Sequence, residues 1–150
     1  MIQENNMRKY GTNSAYAVIR LLTMVNIVKR ELAETQIRLL SDIAIAQELT
    51  QDDILRIIAE YEIDVVKTGK DGPFFNGDPS LPQALVSTGL DEIQGQDLQL
   101  QVCQIMHGLL TVSGSPQKEE IFFVEHAVGY WGIGDIWRTW LLSQPSSNAS

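Results

Sequence analysis

Residues 97–140, DLQLQVCQIMHGLLTVSGSPQKEEIFFVEHAVGYWGIGDIWRTW, decide the fold class of this chain. Apolar residues recur there at steps of three or four on both sides of a short break, and this spacing predicts two amphipathic helices. The expected inner faces comprise Leu98, Val102, Ile105, Leu109 and Val112 before the break, and Ile121, Val124, Val128 and Trp131 after it. Within the break, Gly114 suits a helix end, Ser115 an N-cap and Pro116 a first turn. The stretch therefore predicts an antiparallel helical hairpin.

The rest of the chain continues the helical pattern. Helices are predicted over roughly 14–30, 34–48 and 50–65, with a shorter one near 81–93 and a last one near 136–141. The first helix is apolar on more than one side, so we expect it at the centre of the bundle. Because no run of strict apolar and polar alternation occurs, no strand is predicted. The expected fold class is all-α, a compact bundle of about seven helices.

A length of 150 residues suits one domain. We expect residues 1–150 to form it, with a polar N-terminal arm at 1–13 and a disordered tail at 143–150. The stretch 67–82 is rich in glycine and proline and predicts a long loop. Its Phe74–Phe75 pair has two interpretations: an apolar plug on the core, which we favour, or a functional element, as in many long loops.

Charge and composition constrain the partners and the compartment. Acidic side chains number 19 and basic ones 11, and the net charge of -8 opposes binding to nucleic acid or to anionic membranes. No apolar run approaches the about twenty residues of a membrane span, so membrane insertion is not expected. A single cysteine and a polar N-terminus without a secretory signal favour a cytoplasmic protein.

Few residues indicate chemistry. Cys103 and His107 are four apart on one helical face, but two ligands fall short of a zinc site, so packing or a surface position is the favoured interpretation. Trp131, Trp137 and Trp140 gather near the C-terminus, where core packing is favoured over a binding hot spot. No motif singles out a nucleophile, and no phosphate-binding loop or dinucleotide motif is present, so we do not expect an enzyme; a metal-dependent enzyme is the least favoured of the three function classes.

The two halves of the chain share an apolar pattern. An offset of 84 residues pairs Leu22 with Met106 and Val25 with Leu109. The match suggests a bundle built from two similar helical hairpins, although amphipathic helices also produce such matches by accident, and both interpretations stay open.

Residues 112–120, VSGSPQKEE, resemble the hairpin turn of the tellurite-resistance TerB-like family, as do the apolar residues and the Gly132–Ile133 pair that follow. The matching apolar residues are Ile121, Val124, Ala127 and Val128. The resemblance covers residues 14–142 and implies an all-helical, non-enzymatic stress-resistance protein that acts by binding. Its ligand would be a divalent metal ion or a protein partner.

The resemblance also implies a set of metal ligands. Glu120 occupies one of the family's acidic positions, and the carboxylates near these positions are Glu119, Glu34 and Glu31. Hard cations require several such oxygen ligands converging on one point. The other acidic positions of the family hold Ser113, Lys29 and Gln36 in this chain. The alternative function is a helical adaptor or homo-oligomerisation module that binds no metal.

Overall fold

The computed structural model of the protein describes residues 7–29, 38, 40, 41, 43, 48–70, 72–111 and 116–144. Six α-helices and one short 3-10 helix lie within these residues, and no β-strand does. The helices are α1 Ala15–Lys29, α2 Gln51–Thr68, α3 Gln83–Asp91, α4 Gln96–Thr111, α5 Lys118–Trp131 and α6 Gly134–Ser143. The all-α bundle is therefore confirmed, with six described helices where about seven were expected. The helix predicted over 34–48 lies largely outside the described residues, so the similarity of the two hairpins stays a prediction.

Helix α1 is the centre of the bundle, as its broad apolar surface predicts. It packs against α2, α3, α4 and α5. Its buried apolar side chains are Ala15, Ala17, Val18, Ile19, Leu21, Leu22, Met24 and Val25. Because neighbours surround this helix, its polar residues Arg20 and Asn26 are buried as well.

Helix α2 begins where the sequence predicts. The Thr50 hydroxyl oxygen accepts a hydrogen bond from the Asp53 backbone N–H at 3.1 Å, and Asp53 Oδ2 accepts one from the Thr50 N–H at 2.9 Å. This reciprocal capping box satisfies two of the free amides at the start of the helix. On the inner face, Ile54, Ile57 and Tyr61 are buried.

Helices α4 and α5 pack against each other, which confirms the predicted hairpin. The predicted start of α5 is wrong, because Gln117 is the N-cap and Pro116 therefore precedes the helix. The predicted inner face of α5 also needs correction. Ile121 is 42% exposed, and Phe123 takes the inward position beside Val124. Residues 112–115 of the turn lie outside the described residues.

Part of the predicted N-terminal arm, residues 7–13, packs onto the bundle. The Arg8 guanidinium donates two hydrogen bonds to the Asp64 carboxylate, at 2.9 and 3.2 Å. The buried Arg20 guanidinium donates hydrogen bonds to the buried Glu92 carboxylate and to the Arg8 carbonyl oxygen. Burial raises the pKa of Glu92, while the charge of Arg20 acts in the opposite direction. The arm is thus tied to the bundle through hydrogen bonds and ion pairs.

The C-terminal helix is longer than predicted. Helix α6 extends to Ser143, and Gln144 follows it, so the predicted boundary of the tail is too early. Residues 145–150 lie outside the described residues. Among the described helices, none combines the length and the apolar character that crossing a membrane requires.

Candidate functional site

A cleft of about 460 Å³ lies between the turn at 75–81 and the first turn of α5. The turn contributes Asn76 and Asp78 to its lining, and α5 contributes Glu119 and Glu120. The cleft therefore combines residues of the predicted loop with two of the carboxylates that the sequence singles out, Glu119 and Glu120.

The turn is built by short-range hydrogen bonds. The Phe75 N–H donates to the Leu81 carbonyl at 2.8 Å, and Asp78 Oδ1 accepts from the Ser80 N–H at 2.9 Å. The Tyr61 hydroxyl of α2 donates to the Ser80 carbonyl at 2.7 Å. Gly77 has φ of +72°, a conformation that glycine adopts without strain. These bonds fix the wall of the cleft.

Phe75 fastens this turn to α5. Its buried ring stacks on Phe122 with centroids 5.3 Å apart, meets Phe123 edge-on at 5.3 Å, and lies 4.9 Å from the His126 ring. The plug interpretation of the Phe74–Phe75 pair is therefore confirmed for Phe75.

An apolar surface formed by Ile121 and Phe122, here named the α5 patch, adjoins the cleft. Phe122 is 48% exposed although its ring stacks on Phe75. A shallow depression of about 440 Å³ crosses the patch and shares Asn76 and Glu119 with the cleft. The depression also touches Lys118, Glu119 and Glu125, so acidic side chains outnumber basic ones at its edge.

Two of the cleft carboxylates already accept hydrogen bonds from the protein. Glu120 Oε1 accepts from the Gln117 N–H at 2.9 Å, which caps the start of α5, and Asp78 caps its own turn. Glu119 is exposed. Among the described residues, no group of three or more histidine, cysteine, aspartate or glutamate side chains is arranged to hold a metal ion.

The other two predicted metal ligands, Glu31 and Glu34, lie outside the described residues. The structure thus brings Glu119 and Glu120 to one cleft and leaves their grouping with Glu31 and Glu34 a prediction.

The cysteine, histidine and tryptophan candidates lie in the apolar core or at its edge. Cys103 is buried, and burial raises the pKa of its thiol to about 12, so the thiolate is disfavoured. His107 lies edge-on to Trp137 at 6.0 Å and to Trp140 at 5.5 Å. The Trp131 indole N–H donates to the Leu90 carbonyl at 2.9 Å. Core packing, the favoured interpretation for the tryptophans, is confirmed, and of the two interpretations favoured for Cys103 and His107 the structure shows packing.

Phe122 is the residue that sequence reasoning missed. The signal was present in Ile121–Phe122–Phe123, because three consecutive apolar residues on a helix cannot all point inward.

Comparison of the chain with protein-family models, with curated proteins and with solved structures found no match. The TerB-like resemblance therefore stays a prediction.

Proposed function

We propose that the protein acts by binding and not by catalysis, and that the cleft and the α5 patch together form the binding surface for a protein partner. This proposal keeps the cytoplasmic, non-enzymatic role that the sequence predicts. The stress-resistance and tellurite-resistance role comes from the resemblance alone and is part of the proposal only on that basis.

The observation that carries the proposal is the exposed Phe122 ring. It stacks on the buried Phe75 and thus has little conformational freedom left to lose. Aromatic side chains that are already ordered give large contact area at low entropic cost, which is typical of binding hot spots.

Charge favours one class of partner. Glu119 and Glu125 border the patch, Asp78 borders the cleft, and the whole chain carries a net charge of -8. Complementary charge steers association and disfavours partners of like charge. We therefore propose a partner that presents an apolar side chain surrounded by lysine or arginine.

Photo-cross-linking in the native cells tests this proposal. With p-benzoylphenylalanine in place of Phe122, we expect one discrete adduct with a protein that is basic at the cross-linked segment. The control places the same group at Leu142, which is 81% exposed but lies outside the patch. Phe122→Ala should weaken binding of the recovered partner by about tenfold or more. Identical adducts at both positions, or none at Phe122, would contradict the proposal.

Divalent cations test the metal-binding role that the resemblance implies. Because Glu120 and Asp78 already accept hydrogen bonds, we expect added calcium, magnesium, manganese or zinc to leave Tm unchanged in the native protein. A bound cation would instead raise Tm by mass action. A rise that shrinks in Glu120→Gln would favour the metal role, with Glu120 as a ligand.

A further inference from the structure

Residues 7–10 of the N-terminal arm, here named the strap, lie over a buried ion pair. The Arg20 guanidinium of α1 is fully buried and donates to the Glu92 carboxylate, which follows α3. The Arg8 carbonyl oxygen accepts a second hydrogen bond from Arg20 at 2.9 Å. The Tyr10 ring centroid lies 4.8 Å from the guanidinium carbon. The strap is therefore part of the cover that keeps this ion pair from water.

Polar contacts hold the strap on the bundle. The Arg8 side chain donates two hydrogen bonds to Asp64 of α2. The Tyr10 hydroxyl donates to Glu60 at 2.6 Å, and the Tyr10 N–H donates to the Glu92 carboxylate at 2.7 Å. All four residues of the strap are half-buried or exposed, so it buries little apolar surface. A chain segment of this kind opens at a lower free-energy cost than the core does.

Arg20 makes closure of the strap less favourable. Its Nε–H group is buried and has no hydrogen-bond partner among the described residues. Burial of a charged donor without a partner is penalised, because the donor loses its hydration and gains nothing in exchange. Opening the strap uncovers the guanidinium and lets water reach this group. The desolvation of Arg20 thus offsets part of the stabilisation that the strap contacts provide.

Asn13 fixes the chain between the strap and α1. Its N–H donates to the Glu92 carbonyl oxygen at 2.8 Å. Its side chain exchanges two hydrogen bonds with the Gln94 backbone, at 3.1 and 2.6 Å. Gly11 and Thr12, which connect Asn13 to the strap, are exposed. The strap can therefore lift about this connection while Asn13 stays on the bundle.

We propose that the strap opens and closes as a unit over the Arg20–Glu92 pair while the helices stay folded. The Arg8–Asp64 pair is its latch, because these two hydrogen bonds join the strap to α2 through charged groups.

Opening changes the charge of the surface beneath the strap. Glu60, Asp64 and Glu92 are three carboxylates, and Arg20 is the basic group that lies among them. With the strap closed, its own two basic side chains balance the remaining two negative charges. With the strap open, these carboxylates and the Arg20 guanidinium face water. The strap thus controls access to an acidic groove that the closed protein hides.

Amide hydrogen exchange measured by NMR tests the strap, with the N–H groups of Tyr10 and Asn13 as reporters. Arg8→Ala should accelerate exchange at Tyr10 by about tenfold, because it removes charged hydrogen bonds and keeps the Arg8 carbonyl oxygen. Exchange at Asn13 should stay unchanged, because its hydrogen bonds lie outside the strap.

The matched control for exchange is Arg138→Ala, which removes an arginine from an exposed ion pair with Asp135 on α6. It should change exchange at neither reporter. Circular dichroism verifies that both variants keep the helices. Equal acceleration at Tyr10 and Asn13 in Arg8→Ala would mean that the strap does not open separately. No acceleration at Tyr10 would mean that Arg8 is not the latch. Either result overturns the proposal.

Labelling of arginine with phenylglyoxal, quantified by mass spectrometry, tests whether opening uncovers Arg20. The Arg20 side chain is fully buried, so the reagent reaches it only in an open state. Labelling of Arg20 should be about tenfold faster in Arg8→Ala than in the native protein, in proportion to the open population. Labelling of Arg138, which is 70% exposed, should be unchanged and provides the internal reference.

Leu22→Ala separates opening of the strap from unfolding of the bundle. It truncates a buried side chain of α1 and lowers global stability, but leaves the strap contacts in place. Labelling of Arg20 in this variant should therefore stay at the native rate. If Leu22→Ala accelerated the labelling as much as Arg8→Ala did, or if Arg8→Ala left it unchanged, Arg20 would not be uncovered by the strap and the proposal would be wrong.

Discussion

His126 is a titratable side chain that contacts Phe75 beside the candidate site. Its ring lies 4.9 Å from Phe75 and 6.1 Å from Tyr130, and its Nε2 is buried without a hydrogen-bond partner. Burial lowers the pKa of His126 below the ordinary histidine value. The Tyr130 hydroxyl donates to Asp91 at 2.6 Å, which raises the pKa of Tyr130 to about 12. The folded protein thus favours the neutral imidazole of His126 more than the unfolded chain does.

The lowered pKa of His126 predicts a loss of stability in acid. In the unfolded chain a histidine has a pKa of about 6.5, whereas His126 in the folded protein has a lower pKa and takes up its proton only at lower pH. Below the unfolded pKa the unfolded state therefore holds more protons, and the free energy of unfolding falls as pH falls. His126→Phe should lose less stability than the native protein between about pH 7.5 and about pH 5.5. Urea denaturation at both pH values measures this difference.

Leu142→Ala is the control for the pH measurement, because it changes an exposed side chain that does not titrate. Its pH dependence should match that of the native protein. An equal or steeper loss of stability in His126→Phe would mean that His126 does not contribute.

At the scale of the helices, the sequence predicted where elements lie better than how they are rotated. Caps such as Thr50 and Asp53 act within four residues of chain, so they can be recognised locally. The rotation of a helix about its axis is harder to predict from sequence. In α5 either Ile121 or Phe123 could face the core, and in the structure Phe123 is buried while Ile121 is exposed. Likewise α2 has apolar residues on two opposite faces, and one periodic pattern cannot show which face meets α1.

Phe75 joins two elements, and its removal should separate them. Phe75→Ala should lower the free energy of unfolding by about 3 to 5 kcal/mol, because removing the buried aromatic ring leaves a cavity against α5. Amide hydrogen exchange should also accelerate at Asp78 and Leu81, whose N–H groups bond within the turn. Urea denaturation and exchange measured by NMR provide the two readouts. The matched control is Phe122→Ala, which truncates a half-exposed ring of the same cluster and should cost clearly less. Equal losses in the two variants would argue against the plug.

At the scale of the whole molecule, the sequence predicted the all-α class and the central position of α1, but not the polar ties across the bundle. Arg20 interrupts the apolar surface of α1 and bonds to Glu92, 72 residues further along. Arg8 likewise bonds to Asp64, 56 residues away. Such pairs have no local signature, since their spacing is set by the folded chain and not by helical periodicity. The N-terminal arm therefore looked detached in sequence although residues 7–13 belong to the packed structure.

The shared core predicts that truncations in distant helices have similar effects. Leu22 of α1 and Met106 of α4 are both fully buried in the same apolar cluster. Leu22→Ala and Met106→Ala should each lower the free energy of unfolding by about 2 to 5 kcal/mol, because each removes buried methylene groups and leaves a cavity. Leu142→Ala, at an exposed position, should stay within about 0.5 kcal/mol of the native protein. All three should unfold in a single transition when circular dichroism and tryptophan fluorescence are followed together. If the two probes gave different midpoints in either core variant, α1 and α4 would belong to separate cooperative units, and the bundle would not have one core.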